Sequence, residues 1–404
     1  MFSEQFFDLV LNFGDEWKVT KVGLNIKTEE VDVFIEYIED KAEDPETFEL
    51  CRLYDHAPTR RWRHLDTMQY KTYINCNVPR VINKDGKVKL IKVPWAGSYE
   101  RHSYLFERLA IDILLSTKNQ TKTAKLLRCG FNVINRIIQV SVERGLLARP
   151  KDHVFEHISL DEKSYKKGHK YITALSDPIA GVIIDVCEDR DIASCERLLR
   201  KIFNKQNIDK VKTVSMDMWK AYIHVVKKVL PKSKIIHDRF HLVKYLNEAI
   251  DKVRKREVKI HEDLKESRYV FLKNPENLTE KQRIKFEEIS KANYEVSKAW
   301  RVKENFRDIF GCQTISEATN LIFQWLIDSM NTKIKEIIKI VDMFKNHLQG
   351  IIYAMVKSFS NAMAERLNGK IQEVKTCGRG YRRFENFRNA ILFFHGGLNL
   401  YPLK

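Results

Sequence analysis

The sequence predicts a mixed α/β protein, and three runs of residues carry that expectation. From residue 154 the pattern reads as three strands (154–162, 170–175 and 181–187) joined by short links at Lys167-Gly168 and Asp177-Pro178, an antiparallel meander. A helix at 193–203, a strand at 211–216, a helix at 221–230, a strand at 234–237 and a helix at 240–258 follow. Three meandering strands and then alternating helices and strands is the order of the ribonuclease H-like fold. Residues 104–149 read as three helices. Residues 249–350 are almost wholly helical in period, rich in Lys and Glu, with apolar anchors such as Phe271, Tyr294, Trp300, Phe306, Leu321, Phe323 and Trp325.

The bulk composition narrows the class of partner. At 404 residues, 44% hydrophobic and 31% charged, the chain is expected to fold as several domains with sizeable cores. No apolar run approaches the roughly 18 residues of a membrane span, so no membrane association is expected. Acidic residues at Glu4, Asp8, Asp15 and Glu16 make the N-terminus unlike a signal peptide. Seven scattered cysteines with no CxxC pair point to reduced thiols and a cytoplasmic location. The net charge is +17, but residues 1–50 hold 14 acids against 4 bases, leaving +27 on the remaining 354 residues. A body that basic implies a polyanion, most simply nucleic acid.

The N-terminal hundred residues read as β-rich. Residues 31–39 and 70–78 alternate as strands, and an acidic run from Glu39 to Asp44 either shields a basic surface or forms a solvated loop. Arg60, Arg61 and Arg63 surround Trp62, a plausible phosphate-and-stacking surface, although Trp62 and Trp95 serve equally well as anchors of a small β core. In the helical triplet, Thr121 or Thr123 is placed to cap the second helix and Gly130 to make the turn before the third. On that third helix Ile134, Ile137 and Ile138 face inward. Asn132, Asn135, Arg136 and Gln139 face outward, residue types that reach base edges and phosphates in a major groove. The triplet is therefore expected to be a helix-turn-helix.

Three carboxylates then draw together. Asp161 is expected at the end of the first strand of the meander and Asp217 at the end of the fourth, and in the expected fold these strands are neighbours. Glu365 lies on a helical stretch whose apolar stripe is Met363, Leu367, Ile371 and Val374, with Asn361, Asn368 and Gln372 on its own polar face. Close carboxylates repel unless cations neutralise them, and Mg²⁺ prefers such oxygen ligands. Two such ions activate a water or 3′-hydroxyl and stabilise the leaving oxygen of a phosphoryl displacement. Nearby acids compete less well. Strand alternation turns Glu162 to the other face, Asp185 lies mid-strand, and Asp238 suits a helix cap. His237 and His241, four residues apart, would make a metal pair only with a further ligand. No phosphate-cradling glycine loop is present.

Several motifs now look familiar in combination. Leu160-Asp161-Glu162-Lys163-Ser164-Tyr165, Ser215-Met216-Asp217-Met218-Trp219, Asp238-Arg239-Phe240-His241-Leu242 and Asn361-Ala362-Met363-Ala364-Glu365-Arg366-Leu367-Asn368-Gly369-Lys370 resemble, in order, the ISL-three family of bacterial DDE transposases. Arg60-Arg61-Trp62-Arg63-His64-Leu65-Asp66, Val93-Pro94-Trp95-Ala96 and the Arg/aromatic tail from Gly378 extend the likeness over nearly the whole chain. The resemblance implies a catalytic, metal-binding triad of Asp161, Asp217 and Glu365, and DNA strand transfer with Mg²⁺ or Mn²⁺, two ions being expected. Double-stranded DNA partners follow, both terminal inverted repeats and target DNA, with a homo-oligomer assembled on DNA in a bacterial, nucleoid-associated setting. Cysteine pairs usual in the family around the arginine-tryptophan motif are absent, because Cys51 and Cys76 stand alone. No structural zinc is expected.

The expected organisation is an acidic segment (1–50), a degenerate zinc-finger-like module (51–100) and a helix-turn-helix DNA-binding domain (101–150). The first part of a ribonuclease H-like catalytic core (151–248), a helical insertion (249–350) and the last core helix with a basic tail (351–404) complete it. DNA contacts are expected from Arg60, Arg61, Arg63, Asn132, Asn135, Arg136 and Gln139. The leading reading is a transposase. A nuclease or resolvase of the same fold has less use for a helix-turn-helix, and a DNA-binding regulator with a dead centre has no use for three carboxylates. An RNA-binding protein would expose its aromatics on strands.

Overall fold

A computed structural model describes residues 3–166, 170–292, 294–356 and 362–402, with the side chains at 362–366 and 368 outside the description. The link at Lys167-Gly168 also lies outside the described residues. The chain divides into two compact units, residues 1–148 with 398–404, and residues 149–397.

In the first unit, helix α1 (Ser3–Leu11) precedes two four-stranded sheets. Their strands in chain order are β1 (Trp17–Asn25), β2 (Glu30–Tyr37), β3 (Lys41–Glu43), β4 (Leu50–His56), β5 (Arg60–Arg63), β6 (Lys71–Cys76), β7 (Pro79–Ile82) and β8 (Val88–Leu90). One sheet has the order β1-β2-β6-β5 and the other β3-β4-β7-β8, so both draw strands from either side of residue 50. The period-two burial of β2, with Val31, Val33 and Ile35 inward, shows why the alternating run became a strand. Trp62 and Trp95 are 0% and 2% exposed. Their rings meet edge-on at 5.6 Å, and Trp17 packs on Trp95 at 4.9 Å. Of the two roles open to these tryptophans, the structure has the core.

Three helices follow in the same unit, α2 (Tyr104–Thr117), α3 (Gln120–Leu126) and α4 (Phe131–Ala148). Ser103 caps α2 by accepting from the Phe106 amide at 3.2 Å. The cap of α3 is Asn119, which accepts from the Lys122 amide at 2.9 Å, rather than either threonine. Thr123 is buried and its hydroxyl meets that of Thr117. The turn before α4 also differs from expectation. Arg128, not Gly130, takes the left-handed conformation (φ 51°), held by a bond to the Gln69 carbonyl at 2.7 Å and an ion pair with Asp66. The C-terminal residues return to this unit, where Arg144 donates to the Leu400 carbonyl at 2.6 Å and the Tyr401 hydroxyl to Asp112 at 2.7 Å. Gly145 admits them, since a Cβ there would fall 2.7 Å from the Leu398 side chain.

The second unit is built on a five-stranded sheet of β9 (His157–Lys166), β10 (Lys170–Asp177), β11 (Val182–Glu188), β12 (Thr213–Met216) and β13 (Lys234–His237). Its spatial order is β11-β10-β9-β12-β13. The first three strands pair antiparallel, and β12 runs parallel to both β9 and β13. Helices α5 (Ile192–Ile202) and α6 (Lys220–Val229) share a core with the sheet through Leu160, Leu175, Ile184, Leu198, Val214 and Val225. Helix α7 (Arg239–Glu257) carries the sheet into a helical layer. That layer consists of α8 (Arg268–Leu272), α9 (Glu280–Ser290), α10 (Glu295–Asp308), α11 (Ile315–Asn331), α12 (Lys335–Lys345) and α13 (Leu348–Met355).

Phe271, Phe306 and Trp325 fill that layer as expected, joined by Phe344, whereas Leu321 and Phe323 lie exposed on α11. The helical period explains the difference, because Ala318, Ile322, Trp325 and Leu326 already occupy the inward face. Helices α14 (Ala362–Cys377) and α15 (Phe384–His395) close the unit. Leu367, Ile371 and Val374 of the expected stripe are buried, while Met363 is outside the described side chains.

Candidate active site

The parallel ladder between β9 and β12 pairs Met216 with Leu160, so the next residues, Asp217 and Asp161, emerge side by side. Asp161 does not end its strand, as the sequence had led us to expect. β9 continues to Lys166 along β10, and Asp161 is its first residue beyond the ladder with β12. The local reason is that Lys163 to Lys166 still have β10 to pair with. Each carboxylate accepts the amide of the following residue, at 2.7 Å from Glu162 and 2.6 Å from Met218.

One imidazole lies between the two. His241 Nδ1 is 3.4 Å from Asp217 Oδ2, and its Nε2 is 3.9 Å from Asp161 Oδ1. One helical turn on, the Tyr245 hydroxyl is 3.3 Å from both Asp217 oxygens. Burial first, and then the charge of Asp217, push the Tyr245 phenol up to about 12, so it remains a donor at neutral pH. Lys163 Nζ stands 3.5 Å from Asp161. The side chains of Asp161 and Asp217 are 15% and 24% exposed, open enough to receive a ligand.

His237 and His241 do not act as a pair. His237 is buried against His347, with ring centroids 5.2 Å apart, and burial pushes its imidazole down to about 4. Gly350 of α13 packs on the same ring, since a Cβ there would fall 2.6 Å from it. Asp238 caps α7 through the Phe240 amide at 2.8 Å, as expected. Glu162 is turned to Arg190, at 2.9 Å. Asp185 is held by Arg388 of α15 at 2.7 and 2.9 Å and by Lys201 at 2.8 Å.

The third expected carboxylate, Glu365, falls in α14, and its side chain, like Asn361 and the Asn368 side chain, lies outside the described residues. Gln372 of the same polar face is exposed. Among the described residues, no three His, Cys, Asp or Glu side chains are gathered to hold a metal ion by themselves. The donors that do converge, two carboxylates with partners of modest strength, have the oxygen chemistry that Mg²⁺ or Mn²⁺ takes.

The expected DNA contacts fall into two groups, both in the first unit. On α4, Asn132, Arg136 and Gln139 are exposed and Asn135 half-buried, opposite Ile134, Ile137 and Ile138. Arg136 also meets Glu100 at 3.0 Å. On β5 the arginines are engaged internally. Arg63 is buried and bonds the His64 carbonyl and Asp66. Arg61 lies 3.5 Å over the Tyr73 ring and pairs with Glu30 and Asp32 at 2.9 and 3.0 Å, and Arg60 donates to the Ser98 carbonyl at 3.1 Å. Cys51 and Cys76 are free buried thiols, and burial pushes the Cys76 thiol up to about 12. Tyr245 escaped the sequence reading, although its spacing of four from His241 was the available signal.

Among the described residues, no helix is long and apolar enough to cross a membrane. Comparison with known proteins places this geometry in context. The transposase for insertion sequence element IS1001 of Bordetella parapertussis is 24% identical over 348 residues, covering 83% of this chain and 84% of that protein. The transposase for insertion sequence element IS1557 of Mycobacterium tuberculosis (strain CDC 1551 / Oshkosh) is 24% identical over 361 residues, 81% of this chain and 80% of that one. A family described as Transposase, the ISL3 group of DDE transposases, matches residues 158–391. That span runs from the strand bearing Asp161 through Glu365 and takes in more than half of the sequence, so this chain belongs to the ISL3 family of DDE transposases.

Proposed function

We propose that the protein binds the terminal inverted repeats of an insertion sequence and catalyses metal-dependent DNA strand cleavage and strand transfer, through a ribonuclease H-like core. The observation that carries this reading is the β9–β12 register, which brings Asp161 and Asp217 together where the parallel ladder ends. The sheet order supports the fold assignment, with three antiparallel strands followed by two parallel ones on the side of the first. Glu365 is the third carboxylate of the proposal.

Asp161, Asp217 and Glu365 would hold Mg²⁺ or Mn²⁺, two ions being the natural complement. When bound, the ions supply charge stabilisation at the phosphate and a hydroxyl nucleophile at neutral pH. The chain's own residues fix the ligand geometry. Backbone amides hold one oxygen of each aspartate, Tyr245 donates to Asp217, and His241 separates the two carboxylates. The three helices α2–α4 are the proposed helix-turn-helix, with Asn132, Asn135, Arg136 and Gln139 reading the repeat. Joining two ends requires an oligomer on DNA. The β-rich module is proposed to hold no structural zinc, since Cys51 and Cys76 stand alone and lack the paired spacing of a four-ligand site.

The test is cleavage of a labelled duplex bearing the element's own terminal repeat, with Mg²⁺ or Mn²⁺, beside Glu365→Gln. Cleavage by the wild type alone, leaving a 3′-hydroxyl at the repeat boundary, is expected. Binding without cleavage under both metals would replace this reading with that of a DNA-binding regulator.

A further inference from the structure

Two large aromatic side chains next in the chain to residues of the site stand in solvent. Trp219 is 45% exposed and Phe240 57%, whereas Tyr222, Phe271, Phe306, Trp325 and Phe344 of the same unit are buried. Trp219 follows Asp217 by two residues and immediately precedes α6, and Phe240 is the second residue of α7, next to His241. Phe240 touches the site through His241, and Trp219 flanks it by following Asp217 in the chain. The Phe240 ring meets His241 edge-on, at 5.5 Å between centroids and 90° between planes, and His241 in turn lies between Asp161 and Asp217. The Arg190 guanidinium sits 5.2 Å from the Trp219 ring and 4.1 Å over Tyr171, and it pairs with Glu162, the neighbour of Asp161.

We propose that Trp219 and Phe240 form a stacking platform for an unpaired nucleobase of the DNA strand whose phosphate occupies the Asp161–Asp217 site. The proposal rests on the transposase reading and deepens it. Exposed rings interleaved with cations are what single-stranded nucleic acid binds, because every base has a π-face and every nucleotide a phosphate. Here Arg190 supplies the guanidinium, and Lys220 and Lys244, each one turn or less from an aromatic, are exposed. A base within a duplex has both faces covered by its neighbours, so the platform selects DNA that is frayed or extruded at the position being cut.

The experiment uses the full chain with Ca²⁺, which takes oxygen ligands and neutralises the carboxylates, and with Glu365→Gln in the background so that no cleavage intervenes, by fluorescence anisotropy on two labelled probes. One is a short blunt duplex, and the other is the same duplex ending in a few unpaired nucleotides, one of them 2-aminopurine. This parent chain is expected to prefer the frayed probe by roughly 5- to 150-fold, the range of a stacked base, with quenching of 2-aminopurine. Trp219→Ala and Phe240→Ala should lose that preference while keeping blunt-duplex affinity, and Trp219→Phe should retain most of it. Equal affinity of the parent chain for both probes, without quenching, overturns the platform and leaves the transposase reading standing. The same holds if the alanine variants lose both probes equally while circular dichroism shows them folded, or if they change only the oligomeric state. Absence of binding to either probe overturns both readings. Should an alanine variant fail to fold, the parent chain's preference and quenching still decide the matter.

Discussion

The β11 edge of the second unit's sheet and its β9–β12 centre treat their aspartates in opposite ways. Asp185 on β11 is 1% exposed, and burial by itself would raise its carboxyl; Arg388 outweighs that and, with Lys201, holds it below the usual range. Its ligands are complete within the chain. Asp161 and Asp217, by contrast, share an imidazole at 3.9 and 3.4 Å and have a phenol and a lysine nearby. A buried carboxylate matched by a bidentate guanidinium is part of the scaffold, and breaking such a pair costs far more than the intact pair contributes. Two carboxylates 15% and 24% exposed that share one imidazole are placed as a site would place them.

Substitutions should separate the two regions cleanly. Asp161→Asn or Asp217→Asn is expected to lower strand cleavage at least about 1,000-fold, roughly 4 kcal/mol of barrier, while denaturant unfolding shows stability unchanged or slightly raised. A matching fall in stability would make these residues structural and erase the contrast. Arg388→Ala should do the reverse, destabilising the second unit by about 3–5 kcal/mol because Asp185 is left buried and charged. Its unfolding midpoint is the measurement, and a loss below about 1 kcal/mol would return Asp185 to the list of site candidates.

A third test concerns His237, whose imidazole is buried neutral behind the site. Its folded pKa of about 4 lies below the ordinary 6.5, so its contribution to stability is present above pH 6.5 and disappears as pH falls toward 4. Unfolding curves at pH 7 and pH 4.5 should differ by up to about 3 kcal/mol on this account, and His237→Gln should flatten the difference. The smallest effect is expected in the first unit. Arg136→Ala should weaken binding to the element's ends by roughly 1–3 kcal/mol and random duplex less, measured by competition at fixed salt. A uniform loss across sequences would make Arg136 a phosphate contact.

Much of this was legible in the sequence because its signals are local. Alternation marked β2, the 3.6-residue period marked α4 and α7, and the order of elements from residue 154 matched the sheet that formed. Boundaries moved where a partner strand decided them, as when β10 carried β9 five residues past Asp161. The cap of α3 and the turn at Arg128 were misread for a similar reason. Thr123 is buried beside Thr117, and Arg128 is held by Asp66 and Gln69 from about sixty residues away.

The sequence by itself determined the residue types, the two-fold and 3.6-fold periods, the charge balance and the family motifs, since each is a property of neighbouring residues or of sums over them. Only tertiary structure could decide which carboxylates are matched by a buried guanidinium and which share an imidazole at the centre of the sheet. Asp185 and Arg388 are 203 residues apart in the chain and in ion-pair contact in space. His241 reaches Asp161 and Asp217 because β12 happens to align with β9 at one register and α7 begins just past β13. Electrostatic interactions depend on distance and burial, and neither is written in sequence separation.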